Sequence, residues 1–167
     1  MFLSLRNLAV ILIVFAAVTW WILRDDPETE VRNAHAELVQ LISKTDAEAG
    51  PGLLLKARAL ADLFAAPSEV SGDARGLSGV YSPEELAGMI VRLRSVFNTI
   101  DLTFSELAMD FPTADDAVVE FSAQLAARPP VAEAEEFVER RNVTSRLRFI
   151  DGDWLFTEIE LAESDAN

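Results

Sequence analysis

Seventeen consecutive uncharged, mostly apolar residues, Asn7 to Leu23, stand near the head of this chain, between Arg6 and the trio Arg24, Asp25 and Asp26. A helix of that length spans roughly 25 Å at about 1.5 Å per residue, and Phe2 to Leu5 can extend it while Arg6 snorkels. That is enough to cross a bilayer. Leu8 lies in its first turns, and Trp20 and Trp21 fall at its far end, where indoles settle among headgroups. We therefore expect residues 1–24 to form a transmembrane signal-anchor helix, 25–30 an acidic spacer and 31–167 a folded domain.

Charge sets the expected orientation. The leading end carries the α-amino group and Arg6, whereas Arg24 is followed by Asp25, Asp26, Glu28 and Glu30. The positive-inside rule then keeps the N-terminus cytoplasmic and exports the rest, as for a single-pass protein of a bacterial inner membrane with a periplasmic domain. A cleaved signal peptide shares the basic start and apolar run. Cleavage needs small residues near the end of the run, yet Ala16 and Ala17 come early and Val18, Thr19, Trp20 and Trp21 follow them. The anchor is the better reading.

Beyond Arg24 the chain keeps 12 basic and all 28 acidic residues, a net charge of −16. Such a surface repels nucleic acid and anionic headgroups, and no nucleic-acid partner is expected. There is no cysteine. Disulfides, thiol nucleophiles and thiolate metal sites are therefore excluded. A single histidine and no cluster of carboxylates at ligand spacing leave no expected metal site or cofactor.

Periodicity divides the exported part. Val31, Ala34, His35, Leu38, Leu41 and Ile42 recur at helical spacing, predicting a helix that ends near Lys44. Leu53, Leu54, Ala57, Leu60, Ala61 and Phe64 predict a second, stopped before Pro67. Ser68 to Tyr81 reads as a loop with one short strand at Glu69 to Ser71. Ser82, Pro83 and Glu85 spell a capping box ahead of the apolar stripe Leu86, Met89, Ile90, Leu93 and Phe97. The period then changes to two. Ile100, Leu102 and Phe104 alternate, the phase slips at Ser105 and Glu106, and Leu107, Met109 and Phe111 continue, which predicts a β-bulge. Further strands are expected at Val119 to Leu125, Phe137 to Phe149 and Trp154 to Leu161, the last two joined by a turn at Asp151 and Gly152.

Three helices followed by a bent antiparallel sheet make an α+β chain. From about Glu28 to Leu161 it resembles the nuclear transport factor 2-like superfamily, the cone-shaped fold shared with ketosteroid isomerases and SnoaL-type cyclases. The resemblance rests on element order, on the helix end at Leu60 to Phe64 and on the closing hairpin around Arg146 to Phe156. It implies a pocket inside the cone. It also implies, for an isomerase, a catalytic aspartate about eight residues after Phe64, where this chain has Gly72, with Asp73 adjacent. The isomerase's tyrosine on the first helix has no counterpart, because the only tyrosine, Tyr81, precedes the third helix. Isomerase chemistry is not expected.

The remaining pocket candidates are His35, with Asp62 as an orienting carboxylate, and Tyr81. A neutral imidazole could serve as general base; a histidine at the edge of an apolar stripe is also a satisfied core residue. The closing hairpin carries a second hint. With Asp151 and Gly152 central, Arg148 faces Leu155, Arg146 faces Thr157 and Thr144 faces Ile159. Arg146, Arg148, Leu155, Ile159 and Leu161 then share one sheet face, too apolar for plain solvent surface and suited to a protein partner or a homodimer. A register shift by one would swap the faces. The expected function is a membrane-anchored, non-catalytic binding or assembly module, held to the inner membrane through residues 7–23, a layout similar to that of inner-membrane assembly subunits in type IV secretion systems. The alternative is a small-molecule binder or enzyme using the cone's pocket.

Overall fold

The computed structural model describes residues 26–45, 52–72, 78–130 and 135–162. The expected anchor, with Leu8, Trp20 and Trp21, lies outside them. Among the described residues no helix is long and apolar enough to cross a membrane. The chain divides into two compact units, residues 1–30 and 31–167, and the fold described below is that of the second.

Helix α1 spans Pro27–Ile42 and buries Val31, Ala34, His35 and Leu38. It starts inside the expected spacer because Pro27 fits a first turn, and Glu28 and Glu30 lie where the helix dipole favours acids. Helix α2 spans Gly52–Asp62 and buries Leu60. Phe64, which the helical spacing assigned to this helix, instead opens strand β1, Phe64–Gly72. The expected loop of Ser68 to Tyr81 thus contains most of β1 and all of the short strand β2, Gly79–Tyr81. Helix α3, Pro83–Val96, carries the predicted capping box: the Glu85 amide donates to Ser82 Oγ at 3.2 Å and the Ser82 amide donates to Glu85 Oε2 at 2.8 Å.

Strands β3 (Thr99–Asp110), β4 (Asp116–Arg128), β5 (Phe137–Ile150) and β6 (Asp153–Leu161) complete one six-stranded sheet in the order β2-β1-β6-β5-β4-β3. All neighbours are antiparallel except β1 and β6. The expected antiparallel sheet is therefore mixed, because alternation reveals a strand but not the direction of its partner. The bulge in β3 falls between Ser105 and Ala108, with Glu106 at φ 60°. Asp151 and Gly152, at φ 54° and 106°, make the two-residue turn whose twist suits a hairpin.

The core gathers where α1 and α2 meet the sheet. Val31, Leu60, Val119, Leu147 and Phe156 are almost fully buried, with Phe64 packing on Phe156 at 5.6 Å between ring centroids. A reciprocal clasp locks the helix ends around it. Arg94 of α3, itself buried, donates through Nη1 to the carbonyls of Leu41, Ile42 and Ser43 at the end of α1. Lys44, just past α1, donates through Nζ to the carbonyls of Arg94 and Phe97 at 2.9 and 2.7 Å. Each helix C-terminus thus receives a cation where its dipole is negative and its carbonyls lack partners.

Gly72 closes the parallel pair. Its φ is +110°, and a Cβ there would stand 1.9 Å from the Leu161 carbonyl oxygen, on the strand with which it pairs. Gly72→Ala is expected to cost about 3 kcal/mol, since a strained backbone and a backbone clash must both be relieved. A urea titration showing an unchanged midpoint would contradict this close approach.

Candidate functional site

His35 is the one ionisable ring in the core. It sits one turn after Val31 on the buried stripe of α1, and its Nδ1–H donates to the Val31 carbonyl at 2.8 Å. A carbonyl can only accept, so the proton is on Nδ1 and Nε2 offers its lone pair. That lone pair accepts the hydroxyl hydrogen of Ser145 on β5, at 2.9 Å. The rings of Phe104, Phe121 and Phe156 surround the imidazole edge-on, with centroids 6.2, 5.3 and 5.0 Å away. Burial holds the pKa below its ordinary value; the bond to Val31 opposes this and the charge of Arg32 assists it.

A serine hydroxyl donating to a neutral imidazole is the arrangement that activates a nucleophile. Here both residues are 1% exposed. The pair bridges α1 and β5, with Ser145 Oγ enclosed behind the imidazole. Asp62 is not its orienting partner: it lies exposed at the end of α2, and the His35 ring nitrogens are taken by Val31 and Ser145. Tyr81 lies on β2, at the opposite edge of the sheet from β3, and packs against the core. The three pocket candidates are therefore not brought together. Gly72, the position of the isomerase base, carries no side chain, and Asp73 lies outside the described residues.

An open groove of about 440 Å³ runs between α1 and the edge strand β3. Ala36 and Val39 line one wall and Leu102, Phe104 and Leu107 the other, with Arg32 and Gln40 among its polar groups and His35 also lining it. Its size is that of a small-molecule site. A second groove, of about 330 Å³, borders the β3 bulge, with Glu106, Glu120, Ser122, Asn142 and Thr144 along it. Among the described residues no group of side chains could hold a metal ion.

The hairpin face departs from expectation through one residue. Leu147, Arg148 and Phe149 pair with Phe156, Leu155 and Trp154 as predicted, but the register shifts between Arg146 and Leu147. Thr157 is the extra residue, and its hydroxyl donates to the Arg146 carbonyl at 3.1 Å. Arg146 therefore faces Glu158, and Ile159 faces Ser145, while Leu161 faces Val143. Ile159 and Leu161 consequently belong to the core side of the sheet and pack against the buried cluster. Leu155 stays on the outer side with Arg146 and Arg148. Those two arginines pair with Glu158 at 2.9 Å and Asp116 at 3.0 Å. The Arg148 bond, with Thr113 assisting, holds the Asp116 carboxyl below its usual range. The five residues do not form one surface.

Sequence reasoning missed Ser145 and Arg141. Both alternate in step with Val143 and Leu147 along β5, so the period-two pattern that identified the strand already placed them on the core face. Arg141 donates through Nε to Glu139, and its Nη1 is buried without a partner.

No family model matches the chain, and no curated protein matches it in sequence. Solved structures do match in fold. A protein assigned to the scytalone dehydratases, from Novosphingobium aromaticivorans, is 16% identical with a TM-score of 0.66, covering 80% of this chain and 81% of that one. The hexachlorocyclohexane dehydrochlorinase LinA-type3 of Novosphingobium barchaimii is 16% identical with a TM-score of 0.60, covering 83% and 86%. A nuclear transport factor 2-like protein with a cystatin-like fold, also from Novosphingobium aromaticivorans, is 14% identical with a TM-score of 0.63, covering 98% and 92%. At such identities the likeness concerns architecture alone. Three helices on a curved, mixed, six-stranded sheet give this chain the nuclear transport factor 2-like, cystatin-like fold.

Proposed function

We propose that this chain is a membrane-anchored, extracytoplasmic binding module that recognises a protein partner beside the inner membrane and performs no chemistry of its own. The observation that carries the reading is the buried His35–Ser145 pair. Among the described residues this arrangement of hydroxyl and imidazole is spent on holding α1 to β5, with both groups 1% exposed. The apolar run Asn7 to Leu23 supports the anchor, and the following net charge of −16 supports a protein partner over nucleic acid. A fold shared with a dehydratase and a dehydrochlorinase does not bring their chemistry with it, because chemistry resides in the site.

The groove between α1 and β3 favours a second reading, a small-molecule binder or enzyme, since its volume and apolar walls suit a compact ligand. Both are tested by mild crosslinking of the tagged full chain in native membranes, followed by detergent extraction and mass spectrometry. A stoichiometric membrane protein is the expected companion. Recovery of the chain in the soluble fraction would overturn the anchor. Recovery from membranes with no companion, or with only a second copy of itself, would favour the groove ligand or a homodimer.

A further inference from the structure

We infer that the first turns of α2 rest on the lipid surface, so that Leu54 and Leu55 dock the domain onto the bilayer that holds its anchor; this rests on the anchored reading above. Leu54 and Leu55 are 81 and 74% exposed, on the side of the helix that carries the exposed Arg58, whereas Leu53, 41% exposed, lies on the side of the fully buried Leu60. Large aliphatic side chains side by side in water are unfavourable unless something covers them. Charge identifies the cover. In a chain of net −14, this helix carries Lys56 and Arg58 directly after the leucines and no acid before Asp62. Leu54 and Leu55 with the exposed Arg58 one turn on suit an anionic headgroup layer, which the acidic remainder of the domain repels.

The tether makes a small patch sufficient. Only Arg24, Asp25 and Asp26 separate the apolar run from α1, so the domain is confined beside the membrane and docking is effectively intramolecular.

The chain has no cysteine, so single labels can be introduced without background. Full-length Leu54→Cys and Leu55→Cys, bearing nitroxides, would be placed in nanodiscs containing phosphatidylglycerol. Collisions with oxygen, which concentrates in lipid, would be compared with collisions with a water-soluble nickel chelate. Ala114→Cys, on an exposed turn, is the aqueous reference, and Phe15→Cys reports the anchor. The expected result is high oxygen and low nickel accessibility at 54 and 55, as at 15, and the reverse at 114. Aqueous behaviour at 54 and 55 with a lipid-exposed label at 15 would overturn the docking alone. Protection from both reagents would overturn it in favour of a protein contact. A water-exposed label at 15 would remove the anchored reading and the docking with it.

Discussion

Arg94→Met is expected to destabilise the domain by about 4 kcal/mol, because the carbonyls ending α1 would be left in the interior without their charged donor. The guanidinium is 3% exposed and gives three hydrogen bonds through one nitrogen, to Leu41, Ile42 and Ser43. Methionine fills similar volume and so isolates the loss of donors from the loss of packing. For a domain of this size the midpoint of thermal unfolding should fall by about 15 °C. Arg94→Lys should recover roughly half of the loss, since its ammonium carries the charge and donors but stops one bond short of the position of Nη1. Lys44→Met should cost less, about 1–2 kcal/mol, because two carbonyls lose a donor in place of three and Lys44 is less buried than Arg94. The two losses should not add. Arg94 and Lys44 hold the same pair of helix ends, and a double-mutant cycle should show coupling of about 1 kcal/mol. A Tm unmoved by Arg94→Met would mean that water reaches these carbonyls.

Stability is also expected to fall as pH drops below 6.5, and to do so through His35. This is the only histidine of the chain, and burial holds its pKa in the folded state below the ordinary value of 6.5. In the unfolded chain the ring takes a proton near 6.5 while the folded ring refuses it. The unfolded state then binds more protons, so the stabilisation is complete above 6.5 and is lost as pH falls toward the folded pKa. The slope is at most about 1.4 kcal/mol per pH unit. Carboxylates titrate mostly below about pH 5, so the window between belongs to the histidine. Urea titrations at half-unit steps should show the midpoint falling across this window in the native chain and staying level in His35→Phe. The variant should be less stable at neutral pH, by about 2 kcal/mol, because Ser145 and the Val31 carbonyl lose their shared partner. A native midpoint that is flat over the window would show that His35 is readily hydrated, and the groove beside it would then deserve attention as a site of chemistry.

Much of the architecture was legible because apolar spacing reports directly on burial. The change from 3.6 to 2 after Phe97 separated the last helix from the sheet. Ser82, Pro83 and Glu85 announced the start of α3, Asp151 and Gly152 the hairpin, and the phase slip at Ser105 the bulge. Each is a local device, decided by residues near one another in sequence. Strand β1 was less legible. Ala65, Ala66 and Pro67 have little strand preference, and β1 exists because β6 lies beside it in parallel. The hairpin face failed for a similar reason. Nothing in Thr157 signals a bulge, and the shift it introduces moved Ile159 and Leu161 from the outer side of the sheet to the core.

The chain by itself determined the order of the three helices and of strands β3 to β6, the turn at Asp151 and the cap at Ser82, and the stripe that carries His35 into the interior. Those follow from interactions within a few residues, and a periodic pattern encodes them. Only the tertiary structure decided that His35 meets Ser145 and not Asp62, that Arg94 and Lys44 exchange helix ends, and that the leucines of α2 remain uncovered while Leu60 is enclosed. Those hydrogen-bonded partners are 50 or more residues apart along the chain. Their meeting depends on how one layer is set upon another, which no local spacing contains.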